Sequence, residues 1–197
     1  MAIQDVPGQI KSLVDGIGSR GDNTPLTKPE IKALLDETKG KVGMRAILLL
    51  GLNSGISLKE ALDLRVTDIY YAEYYILVWD AGKNRYRRIY LPSDVLGSLK
   101  AFQDHHRRIL SNRLFDTSED TVLKKLGEAT KKAILKQKTW KAIRRTWLEL
   151  AMQKGMSIKD MSESCGLTET ALTADETIKK PSNGKDNKNL NLLEGIL

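Results

Sequence analysis

The sequence predicts an α+β fold, a mainly α-helical domain with a small antiparallel β-sheet near its first third. Three observations predict it. Apolar residues recur at helical spacing over most of the chain. Two runs, Tyr74 to Trp79 (YYILVW) and Arg85 to Leu91 (RYRRIYL), carry aromatic and β-branched residues in strand fashion. Finally, 197 residues that are 41% hydrophobic suffice for one substantial core and leave little room for a second.

Residues 1–25 read as a short leader in which Gly16, Gly18 and Gly21 mark a flexible joint. Thr27-Lys28-Pro29-Glu30 then carries a capping-box pattern: the Thr27 hydroxyl accepts from a first-turn amide and Glu30 reaches back. Ile31, Leu34 and Leu35 give that helix its apolar face. A second helix over Val42 to Asn53 is apolar nearly all round, which predicts burial, and Gly55 suits its C-terminal cap. A short helix over Leu58 to Leu62 leads into the two strands, joined by the hairpin connection Asp80-Ala81-Gly82-Lys83-Asn84. Helical periodicity resumes after Ser93, with breaks near Ser111 to Asp116, Lys136 to Lys138 and Gly155, and Gly166 ends a further short helix. Lys179 to Asn189 is polar and predicted to be disordered; Leu190 to Leu197 is apolar enough to dock. The domain therefore spans residues 26–178 and the tail 179–197.

A net charge of +7 and an isoelectric point near 9.4 favour an anionic partner, most simply nucleic acid. A basic soluble protein without such a partner fits charge alone equally well. The single cysteine, Cys165, excludes an internal disulfide framework and fits a reducing cytosol. No apolar run approaches the ~20 residues that span a bilayer, and the first residues, MAIQDVPGQIKS, lack a signal-peptide pattern. The expectation is a cytoplasmic protein with no membrane partner. No Walker loop or glycine-rich dinucleotide motif occurs, so no cofactor is expected. His105-His106 has no complementary Cys/His cluster, and adjacent helical histidines point in different directions, so no metal is expected either.

The order of motifs is more specific than any one of them. An LT-x-x-E-I helix (Leu26 to Ile31) precedes a buried helix ending in Ser54-Gly55, then a short helix with LR-x-x-DI (Leu64 to Ile69). A hairpin bearing Lys83 follows, then T-x-x-x-I-R (Thr139 to Arg144), G-x-x-x-x-x-M (Gly155 to Met161) and Cys165-Gly166-Leu167. This order resembles the catalytic domain of tyrosine recombinases, the phage-integrase family, over about Leu26 to Ile178.

The resemblance implies a chemistry that can be checked position by position. In that family a tyrosine attacks a scissile phosphate, two arginines neutralise the phosphorane, and lysine and histidine handle protons. Where the first arginine falls, this chain has Ser57, which supplies neither the charge nor the fork of donors of a guanidinium. Loss of a preorganised donor costs on the order of 10²–10³ in rate; Lys59 is a poorly placed substitute. The hairpin lysine is Lys83, followed by Arg85, Arg87 and Arg88, of which Arg85 and Arg87 share a strand face. The second basic motif reads Lys141-Ala142-Ile143-Arg144: Arg144 matches the family arginine and Lys141 takes the histidine position. Lys141, Arg144 and Arg145 form one helical stripe, opposite Trp140, Ile143, Trp147, Leu150 and Ala151. The late histidine is replaced by Leu167, which exchanges no proton. The tyrosine register lands on Glu176, and no tyrosine occurs anywhere after Tyr90.

These substitutions predict a noncatalytic protein on a degenerate recombinase scaffold, gripping double-stranded DNA through Lys83, Arg85, Lys141, Arg144 and Arg145. Such a protein would be architectural or regulatory. The alternatives are an accessory factor that assembles with an active recombinase, a protein-interaction scaffold without DNA binding, and an enzyme using Ser162, Ser164 or Cys165 as nucleophile. In related enzymes the terminal helix packs into an adjacent protomer. Leu190, Leu192, Leu193, Ile196 and Leu197 could dock likewise in a homo-oligomer or a recombinase partner, against the readings of intramolecular packing or disorder.

Overall fold

The computed structural model of the chain describes residues 21–107, 113–134, 136–174 and 191–196. The helices are α1 (Lys28–Glu37), α2 (Val42–Ser54) and α3 (Leu58–Asp63), then α4 (Ser93–His105), α5 (Glu119–Ile134), α6 (Trp140–Gln153), α7 (Ile158–Cys165) and α8 (Glu169–Thr173). Between α3 and α4 lies a three-stranded antiparallel sheet, β1 (Ile69–Tyr70), β2 (Tyr75–Asp80) and β3 (Arg85–Tyr90), in the order β1-β2-β3. The expected class, mainly helical with a small antiparallel sheet, is the one observed.

Local signals account for most boundaries. Thr27 caps α1 with the full capping box, Pro29 sits in its first turn, and Gly55 closes α2 in the left-handed conformation. Ser157 and Thr168 cap α7 and α8 by accepting from first-turn amides, at Asp160 and Ala171. β1 is the strand that sequence patterning missed. It has two residues, too few to show alternation, and exists because Ile69 pairs with Ile76 and Tyr70 with Tyr75.

The core forms around α2, which is buried along nearly its whole length and packs against both α4 and α6. That is the arrangement demanded by a helix with no polar face. The sheet turns Ile69, Ile76, Val78 and Ile89 inward to the same core. Among the described residues, no helix is long and apolar enough to cross a membrane.

Two terminal segments are fastened to this body. Asp22 bridges Lys138 in parallel, its N–H donating to the Gln137 carbonyl at 2.8 Å, and the Asp22 carbonyl accepts from Thr139 N–H at 3.3 Å. At the other end Leu192, Leu193 and Ile196 are buried in the core cluster of the same chain, while Glu194 meets Lys154 at 3.3 Å on the surface. Leu190 and Leu197, with the linker that precedes them, lie outside the described residues.

Candidate nucleic-acid interface

Three chain segments converge beside the C-terminus of α2. Gly55 turns the chain with φ +65°, pressed so closely on the Trp147 ring that a Cβ would come within 2.2 Å of it. Ser57, two residues on, caps α3: its hydroxyl accepts from Glu60 N–H and donates to Glu60 Oε2 at 2.9 Å. The hydroxyl at the first-arginine position is therefore committed to starting a helix.

The other oxygen of Glu60 is also taken. Oε1 lies 2.7 Å from Nη1 of Arg87, whose side chain is 4% exposed. Arg87 Nε donates to the Ser164 carbonyl at 3.2 Å, and Asp80 Oδ2 stands 4.0 Å from the same guanidinium. Arg85 and Arg87 do share a face of β3, the one that pairs with Asp80 and Val78, but it is the face turned to the core. β3 turns Arg87 inward opposite Val78, while Arg85, at the end of the strand, is exposed. A guanidinium is tolerated inside because two carboxylates and a helix C-terminus receive it. Gly166 makes room: it is left-handed, and a Cβ there would stand 3.1 Å from the Arg87 guanidinium.

Arg144 closes the same junction from α6. Its Nε donates to the Gly55 carbonyl at 2.9 Å and Nη2 to the Cys165 carbonyl at 3.0 Å. It thus ties the turn before Ser57 to the turn before Leu167. Leu167 is half-buried against the core, two residues after the carbonyl that Arg144 holds. The outward stripe expected on α6 is corrected in its details: Lys141, Arg144 and Arg145 are each half-buried. Arg145 points away from Arg144, its Nη1 lying 3.5 Å from the Asn23 carbonyl in the N-terminal segment. The opposite face is as expected, with Trp140, Ile143, Trp147, Leu150 and Ala151 all buried.

Lys83 lies in the exposed β2–β3 connection, and the exposed Arg85 opens β3 just after it. The turn is held by Lys83 N–H donating to the Asp80 carbonyl and to Asp80 Oδ1 at 3.1 Å, while Lys83 Nζ stands 4.0 Å from Asp80 Oδ2. Glu176 lies outside the described residues.

The hydroxyls and thiol weighed as alternative nucleophiles are engaged elsewhere. Ser164 Oγ donates to the Ser54 carbonyl at 2.9 Å, and Ser162 Oγ to the Leu167 carbonyl at 2.6 Å. Cys165 is buried, and burial pushes its thiol pKa up, against the opposing pull of a backbone hydrogen bond and of Arg144 and Arg87. His105 and His106 do not diverge as expected: their rings stand edge-to-face with centroids 4.8 Å apart, and His106 rests on Phe102 at 4.2 Å. Among the described residues, no group of three or more histidine, cysteine or acidic side chains could hold a metal ion.

Two features escaped the sequence reading. Lys138, in a stretch read as a polar break, is buried and donates to Asp22 Oδ2, the Thr24 carbonyl and Thr24 Oγ1 within 3.1 Å. Hydrogen bonds from Lys138 and Thr24 hold the Asp22 carboxyl well below the usual carboxylate range. A lone lysine between polar residues carries no local signal of burial. The second is the outer face of the sheet, where the register brings Tyr70, Tyr75, Tyr86 and Tyr90 together.

No family model matches the chain, and no curated protein matches it. Solved structures do. XerA recombinase superposes with a TM-score of 0.71 at 18% identity, covering 83% of this chain and 63% of its own. A lambda integrase tetramer bound to a Holliday junction gives 0.61 at 16%, covering 90% and 58%. The catalytic domain of bacteriophage HP1 integrase gives 0.56 at 19%, covering 75% and 83%. The fold is that of a tyrosine-recombinase catalytic domain, and the chain spans less than two thirds of the length of XerA recombinase and of lambda integrase.

Proposed function

We propose that the chain is a noncatalytic DNA-binding protein that uses a recombinase fold to grip duplex backbone, in an architectural or regulatory role. The contacts would come from Lys83, Arg85, Lys141, Arg144 and Arg145. One observation supports the reading: Arg144 joins the Gly55 and Cys165 carbonyls, next to the positions where the resemblance would put the first arginine and the late histidine and where this chain has Ser57 and Leu167. Ser57 is spent as a helix cap, Leu167 is apolar, and the nearby hydroxyls donate to backbone carbonyls. What the site retains is positive charge, which positions a protein on phosphate without chemistry.

A gel-shift series on duplex DNA tests the reading. Affinity should fall steeply with salt, by a log–log slope of roughly −0.9 per phosphate neutralised. A nicked suicide substrate should give no detergent-stable adduct. Absence of binding at low ionic strength would leave the accessory-factor and interaction-scaffold readings, and a covalent adduct would restore the enzyme reading.

A further inference from the structure

The sheet has two faces of different chemistry. Inward lie Ile69, Ile76, Val78, Arg87 and Ile89. Outward, by strand alternation, lie Tyr70, Tyr75, Tyr90, Trp79, Tyr86 and Arg88, with Leu77 among them. The rings form two groups. Tyr70 stacks on Tyr75 at 4.4 Å, and Tyr90 meets Tyr75 edge-on at 6.0 Å. Nearer the hairpin, Trp79 and Tyr86 are cross-strand partners in edge-to-face contact at 5.0 Å, and are 45% and 58% exposed. Arg88 sits between the groups, its guanidinium 4.4 Å over the Tyr75 ring.

Trp79 and Tyr86 are not needed by the core, and large aromatic rings left in water at adjacent strand positions mark a binding surface. The charge on the face selects the partner. Its outward strand residues include one cation, Arg88, and no carboxylate. A polyanion with flat apolar groups satisfies both properties. Duplex DNA hides its base faces within its own stack, whereas unpaired bases can lie on a ring.

We propose that this face binds single-stranded nucleic acid, with bases stacking on Trp79 and Tyr86 and the backbone drawn to Arg88. The assignment is independent of the duplex contacts proposed above, which lie on the hairpin and α6.

Fluorescence gives a direct readout, because Trp140 and Trp147 are buried and Trp79 is the exposed indole. The full chain is titrated at low ionic strength with a poly-thymidine strand of roughly 12 nucleotides, within the range of single-strand sites, and separately with a duplex of the same length. The strand should quench Trp79 emission, and the duplex should not. Trp79→Ala combined with Tyr86→Ala should lower strand affinity, read by anisotropy of a labelled strand, by at least about tenfold. Duplex affinity should stay within about twofold if its contacts are electrostatic and lie elsewhere. Failure to quench, or an equal loss for both polymers, overturns the proposal while leaving duplex binding standing. So does a double variant that keeps its strand affinity but loses self-association in sedimentation, which would make the face a contact between copies of this chain. Far-ultraviolet circular dichroism confirms that the double variant is folded, and Tyr86→Ala alone, which keeps the reporter, should weaken the quench in parallel.

Discussion

Arg87 Nη1 lies 2.7 Å from Glu60 Oε1, and the carboxylate that receives it also completes the capping box at Ser57. One side chain therefore fixes the N-terminus of α3 and neutralises a guanidinium buried under Gly166. Glu60→Ala should cost about 3–5 kcal/mol, because removing one partner strands a buried charge, with loss of a helix cap added. Glu60→Gln keeps the cap geometry and removes only the charge, so it should cost less. Urea unfolding measures both. Equal, small effects would mean that Asp80, 4.0 Å from the same guanidinium, is its real counter-ion.

Exposed cations should behave in the opposite way. Lys83→Ala combined with Arg85→Ala removes charges at an exposed hairpin and should leave the melting temperature nearly unchanged. The salt slope of duplex binding should become shallower by roughly 2, about 0.9 for each lost phosphate contact. Arg144→Ala should instead lose both stability and affinity, since it releases the Gly55 and Cys165 carbonyls. An unchanged salt slope in the hairpin variant would remove the hairpin from the interface.

The contrast between Arg85 and Arg87 shows where the sequence was legible. Caps and periodic apolar faces are local, so Thr27, Gly55 and the buried side of α6 could be read from their neighbours. The order of motifs also revealed the fold. Strand alternation put Arg85 and Arg87 on one face, but which face the core would cover depends on Glu60, Asp80 and Ser164, which come from other elements. The burial of Lys138 is likewise written in residues more than a hundred positions away, at Asp22 and Thr24. β1 was invisible because two residues cannot display a period.

The Lys138–Asp22 pair makes stability depend on acid. The Lys138 side chain is 1% exposed and that of Asp22 30%. The Asp22 carboxyl is held below its ordinary value by hydrogen bonds from Lys138 and Thr24, so folding favours its ionised form. This contribution is complete above the ordinary carboxylate pKa, roughly 4, and is lost as pH falls further through the depressed folded value. Asp22→Asn should flatten the acid limb of a melting-temperature series below about pH 4. Asp22→Ala should cost about 3 kcal/mol at neutral pH, because it leaves a buried ammonium with only neutral ligands. A variant with the wild-type acid limb would show that other carboxylates govern it.

Cys165 should be chemically silent in the folded protein. Its thiol is buried and its pKa is raised by that burial, and a thiol kept protonated is a poor nucleophile. Alkylation by iodoacetamide at neutral pH should therefore proceed only as fast as the protein opens, accelerating with urea. Rapid modification of the native protein would instead expose a reactive thiolate and revive Cys165 as a catalytic candidate.

The C-terminal segment can be tested by concentration. Leu192, Leu193 and Ile196 are buried in the core of their own chain, which favours packing within one molecule over exchange between molecules. Each buried aliphatic side chain is worth up to about 1.5–3 kcal/mol relative to water, an upper estimate because unfolded chains already bury some surface. Removing residues 190–197 should thus destabilise the domain by several kcal/mol. Intramolecular docking also requires that the intact chain melt at the same temperature at all protein concentrations, whereas docking onto a neighbour makes melting concentration-dependent. A melting temperature that rises with protein concentration, and loses that dependence on truncation, would place the segment on an adjacent protomer.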